Sequence, residues 1–232
     1  MLKKIYADKM GGSDLGWLKS KFHFSFSNYY NPSNINFGDL RVLNDDLIAS
    51  GQGFDMHPHK DMEILTYVID GELTHEDNMG NKCVIKRGEI QYMSAGTGVS
   101  HSEHNFGDEI LRLIQIWIYP DREGYKPDYG DASFDWDLRI NNWFKLAGNV
   151  NSNAPIKIYQ DVSIDVTYLE EGQEIDYPVR ADRQAYLVQL EGMSIINDVN
   201  LNARDALEII EEDIKIKAVT DSHLFIIEMV KR

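Results

Sequence analysis

No stretch of this chain carries a sustained apolar stripe at helical spacing. Short runs rich in Val, Ile, Tyr and Phe recur instead, broken by clusters of Gly, Asn, Asp and Pro. A chain patterned in this way buries its apolar residues as strands, so an all-β protein is expected. Phe22, Phe24 and Phe26 alternate with His23, Ser25 and Ser27, the period-2 pattern of a strand with one buried face. Further strands are expected at Ile64 to Ile69, Val84 to Lys86 and Leu111 to Tyr119, with Asn78-Met79-Gly80-Asn81 as a hairpin turn. The segment from Pro120 to about Pro155 is rich in Asp, Asn, Gly and Pro. Strands resume at Ser163 to Leu169, Ala185 to Leu190 and Leu224 to Met229, and Ile214 and Ile216 alternate with polar neighbours. The expected layout is an N-terminal domain at 1–120, a connecting segment with one short helix at 121–154, and a C-terminal domain at 155–232.

A faint repeat links the two halves. Gly51 and Gly71 bracket one strand-like stretch, and Gly172 and Gly192 bracket another at the same interval. Superposing the windows sets Pro178 on His57, Arg180 on His59 and Gln184 on Glu63. The second copy is therefore expected to lack whatever site the first one has.

With 232 residues and 43% hydrophobic content, the chain can pack real cores. Its formal net charge of −15 opposes approach to phosphate backbones and anionic lipid headgroups, so no direct nucleic-acid or membrane partner is expected. A single cysteine, Cys83, excludes an internal disulfide framework. The N-terminal Met-Leu-Lys-Lys-Ile-Tyr has no apolar signal stretch, and a cytoplasmic location is expected.

Polar chemistry concentrates in one place. Five of the seven histidines fall between His57 and His104. Residues i and i+2 of a strand share a face, so His57-Pro58-His59 can aim two imidazoles at one point, and His101-Ser102-Glu103 repeats the arrangement. Pro58 donates no backbone hydrogen bond, which places it at a strand edge or bend. Two such pairs facing each other would supply three imidazoles and a carboxylate, a set that binds a divalent first-row metal and leaves positions open. Glu63 shares the face of His57 and His59 on strict alternation and competes for the carboxylate position. His23, His104 and His223 read as structural or solvent-facing, and His75 as the best candidate for a partner behind the ligands. Gly96-Thr97-Gly98 has no lysine or helix start after it and reads as a tight turn that brings His101 to the site.

Gly51, His57-Pro58-His59, Glu63 and Gly71 together resemble the first cupin motif. Gly88 followed by Ser94-Ala95-Gly96-Thr97-Gly98-Val99-Ser100-His101-Ser102-Glu103 resembles the second motif in the form that pirins carry. Phe22 to Phe26, Leu40-Arg41-Val42-Leu43-Asn44-Asp45-Asp46 and Asp77 to Asn81 are similar to pirin stretches as well. The likeness is dense in the first half and thins after Pro120. It implies two cupin (jelly-roll) β-barrels in tandem, with one mononuclear metal in the N-terminal barrel only. The implied ligands are His57, His59, His101 and Glu103, the pirin form of the second motif favouring Glu103 over Glu63. The metal is commonly iron(II) in that family, and the donor set also suits manganese, cobalt, nickel, copper and zinc.

Some bacterial pirin-like proteins are quercetin 2,3-dioxygenases. The resemblance therefore implies a flavonol-like aromatic substrate and O2, with Glu103 as the base. A rival reading is a non-enzymatic regulator in which the metal or its oxidation state alters a surface that binds a protein partner.

Overall fold

The computed structural model describes all 232 residues. The first eleven strands are β1 (Leu2–Ile5), β2 (Gly11–Asp14), β3 (Leu18–Phe22), β4 (Leu40–Ile48), β5 (Gln52–His59), β6 (Glu63–Asp70), β7 (Glu72–Asp77), β8 (Lys82–Lys86), β9 (Ile90–Ser94), β10 (Val99–Asn105) and β11 (Leu111–Ile118). The rest are β12 (Asp128–Ala132), β13 (Phe144–Asn149), β14 (Ile156–Ile158), β15 (Val162–Leu169), β16 (Glu174–Tyr177), β17 (Arg183–Glu191), β18 (Met193–Ile196), β19 (Val199–Asn202), β20 (Ala206–Ile210), β21 (Ile214–Ala218) and β22 (Ser222–Val230). Ala7–Lys9 and Trp136–Arg139 form short 3₁₀ turns, and there is no α-helix. No helix is long and apolar enough to cross a membrane.

The chain packs as two compact units, each with a seven-stranded and a four-stranded antiparallel sheet. One unit holds Gly11–Phe134 and Ile158–Gln160, with sheet orders β12-β9-β6-β11-β4-β3-β2 and β5-β10-β7-β8. The other holds Met1–Met10, Asp135–Lys157 and Asp161–Arg232, with orders β1-β20-β17-β22-β15-β13-β14 and β16-β21-β18-β19. These bounds differ from the expected 1–120, 121–154 and 155–232 for two physical reasons. Asp128–Ala132, within the expected connector, pairs with β9 as an edge strand of the first unit, and Leu2–Ile5 pairs with β20 of the second. Trp136–Arg139 is the one helical turn inside that stretch.

The repeat is a repeat of topology. Position by position, β9, β6, β11 and β4 of the first unit occupy the places of β20, β17, β22 and β15 in the second. Gly51, Gly71, Gly172 and Gly192 all have φ between +71° and +80°, a left-handed conformation that only glycine adopts without strain, so the equal spacing marks equivalent turns.

Local sequence explains most elements. Ile214, Ile216 and Ala218 are buried while Lys215 and Lys217 are exposed, as alternation requires. Asp77 to Asn81 closes the β7–β8 hairpin, with Gly80 at φ +97°. The Phe22 to Phe26 pattern is a correction. The strand stops at Phe22, His23 and Ser25 are buried beside Phe24, and Ser25 N–H donates to Asn34 O as the chain turns away. Hydrogen bonds to the returning loop, and not an exposed strand face, account for the polar positions.

Candidate metal centre

The four-stranded sheet of the first unit sets out the histidines. β10 lies between β5 and β7, and His101 stands opposite His57 on one side and Asp77 on the other. Pro58 lies on β5, the edge strand, where its missing N–H breaks no ladder. A bulge in the β5–β10 pairing between His101 and Glu103 sets Glu103 opposite Phe54. Such a bulge re-aims side chains beside a site. The turn before β10 needs glycine at position 96, where φ is +45° and a Cβ would meet Tyr125 O at 2.1 Å. The Gly98 N–H closes that turn on Ala95 O at 2.8 Å, as a tight turn feeding His101 should.

The rings of His57, His59 and His101 form a triangle with centroid separations of 4.8, 4.5 and 4.9 Å. One ring nitrogen from each lies within 4.8 Å of the others. His57 Nδ1 lies 2.8 Å from Asp55 O, to which its N–H donates, leaving Nε2 as the lone-pair nitrogen. His59 Nε2 is buried with no hydrogen-bond partner. Burial, and then repulsion from neighbouring imidazoles, pushes His59 and His101 down to about 3. Three clustered imidazoles, one with an orphaned buried nitrogen, are the donor chemistry that a divalent metal ion fits.

Glu103 is 2% exposed. Its carboxylate accepts hydrogen bonds from Thr66 Oγ1 and Gln115 Nε2, each at 2.8 Å. Each carboxylate oxygen offers about two lone-pair sites, so both retain capacity for a further partner. His75, His101 and Glu103 form a second close group of donors. His75 is fully buried, its Nδ1 is 3.4 Å from His101 Nδ1, and its ring stacks on Tyr129, so it supports His101 from behind. Both donor groups lie in the N-terminal barrel.

Glu63 stands elsewhere. Its carboxylate accepts from Tyr92 Oη at 2.7 Å, Ser94 Oγ at 2.6 Å and the Tyr159 N–H at 2.9 Å, and it belongs to neither donor group. Alternation fails because β5 ends at His59, Asp61 takes φ +47°, and Glu63 opens β6 in the other sheet. His23 is buried and burial holds it down at about 4. His104 lies 3.4 Å from the Asp55 carboxylate and stacks on Phe106, and His223 pairs with Glu191 at 3.0 Å. Cys83 packs beside the apolar cluster of Leu73 and Ile85, and burial pushes its thiol up to about 11. It is no thiolate at neutral pH.

A cavity of about 290 Å³ opens on the cluster, touching His57, His59 and Glu103. That is near the lower end of the range, about 300–1,000 Å³, of small-molecule sites. Phe22, Phe26, Phe54, Leu18 and Trp117 make its apolar wall. Trp117 meets His59 and Phe26 edge-on at 5.0 and 5.4 Å. Asn44, Asp46 and Gln115 make a polar wall. Burial, aided by Asp45 and Glu103 and opposed by the Ser20 hydroxyl, pushes the Asp46 carboxyl up to about 7. Sequence reading did not reach Thr66, Gln115 or this wall. The available signal was a polar residue inside an otherwise apolar strand, as in Ile64-Leu65-Thr66-Tyr67-Val68 and Leu113-Ile114-Gln115-Ile116.

Two jelly-roll barrels in tandem, the first with a cluster able to hold a metal ion, define a bicupin with one metal-binding barrel. Residues 5–118 match the pirin family, and residues 146–229 match the quercetinase C-terminal cupin domain. A pirin-like protein of Caulobacter vibrioides is 44% identical over 230 residues, 98% of this chain and 99% of that one. The quercetin 2,3-dioxygenase of Escherichia coli (strain K12) is 40% identical over 225 residues, 96% of each chain. The crystal structure of YhhW from Escherichia coli superposes with a TM-score of 0.95 at 38% identity, covering 100% of this chain and 99% of that one. The bacterial pirin YhhW in complex with nickel(II) gives 0.93 with full coverage of both. The chain belongs to the pirin family.

Proposed function

We propose that the chain is a metal-dependent dioxygenase that opens the heterocyclic ring of a flavonol such as quercetin with O2. The observation that carries this reading is an aromatic-walled cavity of about 290 Å³ that touches His57, His59 and Glu103, with His101 belonging both to the three-histidine group and to the group that contains Glu103. The activity named for the Escherichia coli relative supports it. In this reading the three imidazoles and Glu103 hold one divalent ion, iron(II) in the native protein, although the related YhhW was solved with nickel(II). Such an ion supplies a Lewis acid that lowers the pKa of the flavonol 3-hydroxyl.

The remaining work belongs to the chain. Glu103 takes the 3-hydroxyl proton, with Thr66 and Gln115 fixing its orientation. Trp117, Phe26 and Phe54 hold the flat ring system and keep water away. His57 is aimed by its bond to Asp55 O, and His101 by its contact with His75. Overall, both atoms of O2 enter the ring-opened product and one carbon leaves as CO, so no external reductant is needed.

The test is an oxygen-electrode assay, with CO detection, on protein loaded with iron(II) or nickel(II). Equimolar loss of O2 and flavonol with release of CO is expected. No O2 consumption across several flavonols at full metal loading would transfer preference to the regulator.

A further inference from the structure

The polar wall of the cavity contains two acceptors that the protein leaves unused. Asn44 and Asp46 lie two residues apart on β4, so both face the barrel interior, and they are 3% and 4% exposed. Both line the cavity, and the Oδ1 of each has no hydrogen-bond partner. Ser20 donates its hydroxyl to the Asp46 carboxylate, which steadies the side chain while the second oxygen stays unused. Asp45, on the opposite face of the same strand, shows the contrast. Arg112 grips it with two hydrogen bonds of 3.0 and 2.7 Å. The chain thus neutralises one carboxylate of the pair and leaves the cavity-facing one bare. An unpaired buried acceptor is costly unless a ligand supplies the donor.

We propose that Asn44 and Asp46 recognise phenolic hydroxyl groups of the substrate, so that the cavity selects polyhydroxylated flavonols over a flavonol whose single hydroxyl is the one at C3. This inference rests on the flavonol reading. It divides the cavity by task. The histidine cluster and Glu103 engage the 3-hydroxyl, the aromatic wall holds the rings, and the β4 acceptors read the remaining hydroxyls. Asp46 is the stronger reader, because its free carboxyl oxygen can accept from a phenolic hydroxyl when ionised and donate to a phenolic oxygen when protonated. A site built to bond a hydroxyl discriminates sharply against the analogue that lacks it.

The test compares quercetin with 3-hydroxyflavone on the metal-loaded full chain. The readouts are kcat/KM by O2 uptake and anaerobic Kd by quenching of tryptophan fluorescence, Trp117 lining the cavity. Wild type should favour quercetin by at least about 10-fold, and Asp46→Ala should reduce that preference by about 10- to 100-fold. Asn44→Leu should act in the same direction with a smaller effect. The wild-type comparison needs no variant and stands whether or not the variants fold. Equal handling of the two flavonols by wild type, or an equal loss on both in Asp46→Ala, would overturn the assignment and leave the dioxygenase reading intact. Loss of bound metal in Asp46→Ala would also overturn it, by making Asp46 part of the metal centre. Failure of wild type to bind either flavonol would remove both readings together.

Discussion

The two barrels share a strand order and differ in what fills them. In the first, Asn44, Gln115, Thr66 and Gln91 are register partners across β4, β11, β6 and β9. In the second, the same places on β15, β22, β17 and β20 hold Asp165, Ile226, Leu187 and Leu207. Ile226, Leu187 and Leu207 belong to one buried aliphatic cluster with Ile214, Ile216 and Leu224. At three of the four places a polar side chain of the first copy, Thr66 and Gln115 on Glu103 among them, is an aliphatic one in the second, while Asp165 keeps the fourth place polar. Each fully buried aliphatic stabilises by roughly 1.5–3 kcal/mol, whereas each unpaired buried polar atom costs a comparable amount. The second barrel fills three of these places with apolar packing, and the first sets polar groups there around Glu103 at a cost in stability. The fold permits both, and the site decides function.

The comparison breaks most sharply at the metal. His101→Ala should take metal content from one ion per chain to near none, a loss of affinity above about 100-fold, read by elemental analysis. Two ions per chain in wild type would contradict an empty second barrel. Glu103→Gln should retain more metal than Glu103→Ala yet turn over flavonol about 10²- to 10⁴-fold more slowly at matched metal content. Equal rates would remove Glu103 as the base. Thr66→Leu with Gln115→Ile copies the second barrel's row into the first and strips Glu103 of both donors. Metal affinity or turnover should fall about 10- to 100-fold, and an unchanged enzyme would show that the polar row does not orient the carboxylate.

A truncation in the same row of the second barrel should act on stability alone. Leu187→Ala should cost about 2–5 kcal/mol in denaturant unfolding, with metal stoichiometry preserved in the folded protein. The smallest effect concerns Asp46 in metal-stripped protein. Burial raises its pKa from 3.8 unfolded to about 7 folded, so the native state keeps a proton that the unfolded chain releases. Its contribution is therefore full below about pH 4 and is lost as pH climbs through about 7. Asp46→Asn should gain Tm on wild type across that window, and a constant Tm difference would show that Asp46 does not titrate there.

Much of this was legible in the chain. The i, i+2 spacing of His57 and His59 and of His101 and Glu103 survives folding, because strand geometry is local. The glycine intervals marked equivalent turns, since positive φ is a property of one residue. Pro58 announced an edge by lacking an N–H. Legibility ended where partners come from distant segments. The parity argument for Glu63 assumed an unbroken strand, and the turn at 60–62 carries Glu63 into another sheet, where Tyr92, Ser94 and Tyr159 hold it. The Phe22 to Phe26 pattern looked like alternation because the hydrogen bonds that bury His23 and Ser25 come from elsewhere in the chain. Asp128–Ala132 reads as a linker because its composition is polar, and only β9 beside it makes it a strand.

By itself, then, the sequence determined the all-β class, the tandem repeat and the same-face spacing of the two residue pairs proposed as donors. All three follow from backbone periodicity and the conformational limits of single residues. The tertiary structure decided which strands lie side by side. It thereby set His75 behind His101, Thr66 and Gln115 on Glu103, and Asn44 and Asp46 at a cavity wall. Such neighbours depend on sheet register between segments far apart in the chain, which no local pattern encodes.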